Sequence, residues 1–155
     1  MTIVKAQLED LESIIAIEQQ IFNTDAYPAF VVRQLFDISG DYFVVTKEDD
    51  KILGYALGGI NTNEKKAWVL SLGVHPNARG KSLGKQLTSN LITILKFNHV
   101  NEIALTVYPN NHAAIKIYKE LGFLGDLILD NYFLDHEKRI VMTLKVSSVQ
   151  NRIKN

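Results

Sequence analysis

The stretch that decides the fold is residues 68–95, WVLSLGVHPNARGKSLGKQLTSNLITIL. Residues 68–74 form a nearly continuous apolar run, as expected for a strand that is covered on both faces. Pro76 has no backbone N–H and therefore ends the strand. From Leu83 onward, leucine and isoleucine recur three and four residues apart, as on one face of a helix. The stretch predicts a strand, a tight turn and a helix.

The turn itself has the composition of an anion-binding site. Arg79, Lys81 and Lys85 supply positive charge, and Gly80 and Gly84 let a ligand approach the backbone closely. The start of a helix also offers unpaired N–H groups and the positive end of the helix dipole. We therefore predict that this turn binds phosphate.

Two common phosphate-binding motifs are excluded. Gly80-Lys81-Ser82 fits the end of a P-loop, but that motif needs a glycine at position 75, where the sequence has His75. The G-x-G-x-x-G spacing of dinucleotide-binding proteins does not occur. From these residues alone, the kind of phosphate ligand stays open.

Composition narrows the class of protein. The 155 residues are 46% hydrophobic and 22% charged, which is typical of one globular domain, here residues 1–146, followed by a polar tail, residues 147–155. Seventeen basic and seventeen acidic residues balance, so no nucleic-acid or membrane partner is expected. Cysteine is absent and the histidines lack paired metal-ligand spacing, so no metal is expected. Without an apparent signal peptide or apolar span, a cytoplasmic location is predicted.

Periodicity along the chain gives the order β-α-α-β-β-β-α-β-α-β-β. The predicted segments are a strand at 2–5, helices at 8–22 and 28–38, a hairpin within 41–60, the strand, turn and helix described above, a strand at 102–107, a helix from 110 or 111 to 121, and strands near 123–133 and 139–146. The strand–helix–strand unit around the turn predicts a parallel crossover, and the rest of the sheet is expected to be antiparallel. The fold class is therefore α/β, with a mixed sheet.

Two local patterns carry a family resemblance. Val74 and Pro76 lead into Arg79, with Leu83 and Gly84 in register; this turn resembles the acetyl-CoA pyrophosphate loop of the GNAT N-acetyltransferases, [Gln/Arg]-x-x-Gly-x-[Gly/Ala]. Asn111, Ala114 and Tyr118, followed by 121–123 (LGF), match that family's Asn-x-x-Ala-x-x-x-Tyr-x-x-x-Gly-Phe pattern. The predicted element order is also that of the GNAT fold, and the resemblance covers residues 2–146.

The resemblance implies a cofactor and the residues that bind it. It implies acetyl-CoA held at a splayed pair of central parallel strands, with no metal. The implied cofactor-binding residues lie on the first of these strands, in the turn and on the helix of the second pattern: Leu72, Val74, Arg79, Gly80, Lys81, Ser82, Leu83, Gly84, Lys85, Asn111, Ala114 and Tyr118. Ser82 stands where the family has its first glycine, so we expect strain and weaker cofactor binding if its φ is positive.

The resemblance also implies a reaction. A neutral amine attacks the thioester carbonyl, and Tyr118 is the implied acid that protonates the departing sulfur. The general base is not evident, because the strand positions where the family often has glutamate are Leu70, Ser71 and Thr106. Glu18, Asp25 and a water chain remain alternatives. We expect the Glu18 carboxylate to lie in water at the edge of an apolar stripe; the alternative is that it faces a cleft.

The acceptor is predicted to be a protein or peptide N-terminus. An α-amine is neutral more often than a lysine at pH 7, so a site without a clear carboxylate favours it. The segments around Phe22, Tyr27, Tyr132 and Phe133 also resemble the ribosomal-protein and N-terminal acetyltransferase branch, where they line the peptide groove. The alternatives are a small amine (polyamine, amino sugar or amino acid) and a non-catalytic acetyl-CoA sensor. Monomer and homodimer both stay open.

Overall fold

The computed structural model describes residues 1–146, and the predicted polar tail lies outside the described residues. The strands are β1 (Thr2–Lys5), β2 (Phe43–Glu48), β3 (Lys51–Asn61), β4 (Lys66–Val74), β5 (Glu102–Val107), β6 (Ile128–Leu129) and β7 (Arg139–Lys145). The helices are α1 (Leu11–Phe22), α2 (Ala29–Ser39), α3 (Leu83–Lys96) and α4 (His112–Glu120). The predicted order of elements is therefore confirmed.

The strands form a seven-stranded sheet in the order β1-β2-β3-β4-β5-β7-β6. The pairs β1–β2, β2–β3, β5–β7 and β6–β7 are antiparallel. β4 and β5 are parallel, and in the described chain their register joins residues 66–68 to residues 102–104, at the start of both strands. The predicted mixed sheet with a central parallel pair is confirmed. No helix within residues 1–146 is long and apolar enough to cross a membrane.

The described chain divides into two compact units. Unit 1 comprises Met1–Gly59 and Leu70–Ile94, and unit 2 comprises Ile60–Val69 and the chain from Leu95 onward. The core of unit 1 is formed by buried side chains, most of them on α1, α2, β2 and β3: Ala6, Leu11, Ile14, Ile17, Val32, Phe43, Val45, Ile52, Tyr55 and Leu57. In unit 2, buried side chains come from β5, from β7 and from the residue after the α4 turn: Ile103, Leu105, Phe123, Ile140 and Met142.

The first predicted helix begins differently from the expectation. Leu8–Asp10 is a 3-10 helix, and α1 begins only at Leu11. The buried Asp10 accepts a hydrogen bond from the backbone N–H of Gln7 at 2.8 Å and pairs with Lys47 Nζ at 2.8 Å. Asp10 therefore satisfies a free donor at the helix start and links this turn to β2.

The strand predicted near residues 123–133 is mostly absent. Only Ile128–Leu129 forms β6, together with an isolated bridge between Leu124 and Thr143. Gly125 has a φ of +141°, and a Cβ there would lie 2.5 Å from the carbonyl oxygen of Val141. Asn131 and Leu134 also have positive φ values. These turns interrupt the apolar run, so the sequence prediction of a long strand was wrong.

Gly73 on β4 leaves space for the Tyr55 ring in the core of unit 1. A Cβ at Gly73 would lie 2.5 Å from Cε1 of Tyr55 and 2.7 Å from its hydroxyl oxygen. The Tyr55 ring, which is only 1% exposed, therefore packs directly on the backbone of β4. Any larger residue at position 73 must displace this ring.

We predict that Gly73→Ala lowers the free energy of unfolding by about 1–3 kcal/mol, because overpacking a core costs that much. Urea denaturation measures the change. Gly40→Ala is the matched control, because Gly40 has a helical φ of −59° and a Cβ there meets no atom within 4 Å. Equal stabilities of the two variants would contradict the proposed role of Gly73.

Candidate active site

The predicted phosphate turn joins β4 to α3 in unit 1. Pro76–Ala78 forms a short 3-10 helix, and Arg79 to Ser82 are exposed. Within residues 1–146, the side chains of Arg79 and Lys81 have no ion-pair partner. Two cations without compensating carboxylates thus lie directly before a helix start, which makes the turn strongly attractive to an anion.

The backbone at the start of α3 is open to a ligand. The carbonyl of Ser82 accepts the first helical hydrogen bond, from the N–H of Gln86 at 3.1 Å. The N–H groups of the first helical turn have no acceptor within the helix. A Cβ at Gly84 would meet nothing closer than 3.8 Å, so packing within the protein does not require glycine there. Gly84 instead leaves room beside these donors, as a bound phosphate requires.

Ser82 adopts the strained conformation that the sequence analysis considered. Its φ is +58°, in the left-handed region, and Gly80 has a φ of +86°. The left-handed region costs an L-residue about 1–2 kcal/mol, whereas glycine occupies it freely. The family's usual glycine at this position thus has a physical reason, and this chain carries strain in its phosphate turn.

Glu18 is buried, so the expectation that its carboxylate lies in water was wrong. It is 3% exposed. Its Oε1 accepts hydrogen bonds from the Tyr55 hydroxyl at 2.6 Å and from the Ser71 hydroxyl at 2.7 Å, and its Oε2 accepts one from the backbone N–H of Tyr27 at 3.1 Å. These bonds join α1 to β3, to β4 and to the loop before α2. Asp25, the other carboxylate considered, is exposed.

The buried charge of Glu18 acts on both tyrosines. Burial, and then the negative charge of Glu18, raises the pKa of Tyr55 far above its ordinary value. The same two causes raise the pKa of Tyr27. Both phenols therefore remain protonated, and the Tyr27 hydroxyl donates to the carbonyl of Leu70 on β4 at 3.2 Å. A buried carboxylate therefore lies against β4, so the argument for an α-amine that rested on the lack of a clear carboxylate no longer holds.

In unit 2, α4 presents the second predicted group of site residues. Asn111 caps the helix by accepting a hydrogen bond from the N–H of Ala114 at 3.2 Å, which leaves its amide N–H₂ as a donor. Tyr118 is 8% exposed and packs edge-to-face on Phe123, with ring centroids 6.0 Å apart. Burial raises the pKa of Tyr118 to about 12. Among residues 1–146, its hydroxyl has no hydrogen-bond partner.

The predicted acceptor residues belong to two different units. Phe22 and Tyr27, both half-buried, belong to unit 1. In unit 2, the rings of Tyr132 and Phe133 pack edge-to-face with centroids 4.8 Å apart. The buried Arg139 supports this loop, because its guanidinium lies 5.2 Å from the Phe133 ring and donates to Asp135 at 2.8 Å. The pKa of the Asp135 carboxyl is lowered by the N–H of Glu137 and then by Arg139.

The sequence analysis missed three contributors to these groups. Ser71 was named only as a strand position that lacks the family's glutamate, and Tyr55 and Arg139 were not singled out within their predicted strands. No local pattern identifies them, since the bonds from Tyr55 and Ser71 to Glu18 span 37 and 53 residues. Within residues 1–146, no group of three or more metal-ligating side chains is arranged to hold an ion.

Comparison with known proteins identifies the family. Residues 8–123 match the acetyltransferase (GNAT) family. The chain is 30% identical over 143 residues to a ribosomal protein bS18 alanine N-acetyltransferase of Salmonella typhimurium, covering 89% of this chain and 93% of that protein. It is 25% identical over 142 residues to a putative enzyme of the same name from Bacillus subtilis, covering 91% and 93%. This chain belongs to the GNAT family and is an N-acetyltransferase.

Comparison with a solved structure supports the same family. The ribosomal-protein-S18-alanine N-acetyltransferase of Escherichia coli superimposes with a TM-score of 0.78 at 25% identity, covering 94% of each chain. The mixed sheet, the two helices between β1 and β2, and the β4–turn–α3 unit are thus features of the GNAT fold.

We predict that Ser82→Gly raises the free energy of unfolding by up to about 1 kcal/mol, because relief from the left-handed conformation exceeds the entropy cost of glycine. Thermal denaturation measures the change. Ser89→Gly, at an exposed site inside α3, is the matched control and should destabilise the protein by about 0.5 kcal/mol. An equal loss of stability in both variants would refute strain at Ser82.

Proposed function

We propose that this enzyme transfers the acetyl group of acetyl-CoA to the α-amine at a protein or peptide N-terminus, and that residues 1–146 act as one catalytic domain. The observation that carries the donor assignment is the exposed turn with two unpaired cations at the start of α3. The acceptor assignment is supported by the similarity to ribosomal-protein alanine N-acetyltransferases along nearly the whole of both chains.

In this proposal, the pyrophosphate of acetyl-CoA binds the turn. Arg79 and Lys81 neutralise its charge, and the backbone N–H groups from Ser82 to Lys85 donate to its oxygens. Leu72 and Val74, on β4 beyond the residues that pair with β5, offer backbone groups to the pantetheine arm. In unit 2, Asn111 and Ala114 are the proposed cofactor-binding residues of α4, with the free amide N–H₂ of Asn111 as a donor.

The reaction requires a neutral amine and a protonated leaving group. The amine nitrogen bonds to the thioester carbon, a tetrahedral oxyanion forms, and the C–S bond then breaks. The nitrogen loses one proton and the sulfur gains one. Tyr118 supplies the proton to sulfur: its pKa of about 12 keeps it protonated, and its hydroxyl has no partner within residues 1–146 that would compete for that proton.

The experiment that tests the substrate class measures CoA release from acetyl-CoA with three kinds of acceptor. These are peptides with a free N-terminus, the same peptides blocked at the N-terminus but containing lysine, and polyamines. We expect release with free N-termini only. Release with lysine or polyamines only would overturn the α-amine assignment, and release with polyamines only would favour the small-amine alternative. Arg79→Glu combined with Lys81→Glu should abolish release and the thermal stabilisation by acetyl-CoA; retention of both would overturn the pyrophosphate assignment.

We predict that Tyr118→Phe lowers kcat by about 100-fold or more, because a positioned general acid contributes at least that much. Thermal stabilisation by acetyl-CoA should change little. Since the pKa of Tyr118 is about 12, wild-type kcat should show no alkaline loss up to about pH 10. Tyr42→Phe removes a phenolic hydroxyl in unit 1 and serves as the control. Wild-type kcat in Tyr118→Phe would exclude the acid role.

A further inference from the structure

Ser71 connects the partly exposed β4 to a fully buried carboxylate. Its side chain is half-buried, whereas Glu18 and Tyr55 are 3% and 1% exposed. The Ser71 hydroxyl donates to Glu18 Oε1 at 2.7 Å, and a serine hydroxyl that donates one hydrogen bond keeps lone pairs with which to accept another. Ser71 is therefore placed to receive a proton on its outer side while it releases one to Glu18.

Glu18 has no cation beside it within residues 1–146. The titratable groups that face it are Tyr55 on β3 and Tyr27 in the loop before α2. Burial and the charge of Glu18 raise the pKa of both tyrosines, so both stay neutral. The negative charge of Glu18 is thus held by hydrogen bonds alone in a nearly dry environment.

Ser71 is also the neighbour of Leu72, whose backbone the proposed function assigns to the cofactor. The other strand positions considered for a base, Leu70 and Thr106, are not bonded to a buried carboxylate. Among the described residues, the Ser71–Glu18 pair is the one that joins such a strand position to an acid.

We propose that Ser71 and Glu18 form the proton relay that receives the proton of the acceptor amine, an inference that rests on the proposed function. As the nitrogen–carbon bond forms, the amine proton passes to Ser71 Oγ, and the Ser71 hydroxyl proton passes to Glu18 Oε1. Glu18 becomes a neutral acid and later returns its proton to solvent by the same path. Ser71 touches the amine, whereas Glu18 acts through Ser71 as its positioning and proton-holding partner.

The test compares kcat, KM and pH dependence in Ser71→Ala, Ser71→Thr and wild type, with a free-N-terminus peptide as acceptor. Ser71→Ala should lower kcat by about 100-fold at pH 7 with little change in KM for acetyl-CoA. This deficit should shrink as the pH rises towards 9.5, because hydroxide then accepts the proton directly. Ser71→Thr keeps the hydroxyl and should retain most of the activity. A structural role would give the same deficit at every pH.

Glu18→Gln should reproduce the Ser71→Ala pH dependence, and the double variant should lose no more activity than either single variant. Asp10→Asn is the matched control, because Asp10 is a second buried carboxylate in unit 1 and pairs with Lys47 instead. Its pH dependence should equal that of wild type. Wild-type kcat in Ser71→Ala, or a pH-independent deficit, would overturn the relay and leave the proposed function standing. Failure of wild type to release CoA with every acceptor would overturn the proposed function itself.

Discussion

The buried carboxylate of Glu18 is the interaction on which the arrangement of unit 1 depends. It accepts hydrogen bonds from β3, from β4 and from the loop before α2, so one side chain on α1 fixes three elements. Hydrogen bonds to a charged group are worth roughly 1.5–3 kcal/mol each, and together they offset the cost of burying the charge. The loop that carries Tyr27 is thereby tied to β4 twice, through Glu18 and through the carbonyl of Leu70.

Gly73, Gly84 and Ser82, on β4 and in the turn and helix after it, have different roles in this arrangement. Gly73 lets the Tyr55 ring reach Glu18 across the backbone of β4, and Gly84 leaves the start of α3 open for an anion. Ser82 stores strain that glycine would not have. Packing therefore constrains the strand, whereas the positive φ of Ser82 makes the turn after it less favourable than it would be with glycine. Such strain is commonly found where a backbone is held in place for binding.

Local sequence patterns predicted the fold, whereas the cofactor-binding residues they indicate remain a prediction. The turn at 79–84 and the spacing of Asn111, Ala114 and Tyr118 depend on neighbouring residues, and periodicity alone gave the element order. The burial of Glu18 depends on Tyr55 and Ser71, which are 37 and 53 residues away, so no local pattern could reveal it. The short β6 also differs from the sequence prediction: Gly125, before it, has a φ of +141°, and a Cβ there would lie 2.5 Å from the carbonyl oxygen of Val141 on β7. Contacts between residues far apart in the sequence thus determine the features that local patterns did not predict.

The most direct test of this account is a double-mutant cycle between Glu18 and Tyr55, measured by urea unfolding. Glu18→Gln, Tyr55→Phe and the double variant are compared with wild type. If the buried carboxylate and the phenol depend on each other, the two losses of unfolding free energy will fail to add, with a coupling of about 1–3 kcal/mol. Losses that add to within about 0.5 kcal/mol would show that the two groups act independently, and would contradict the claim that this carboxylate holds unit 1 together.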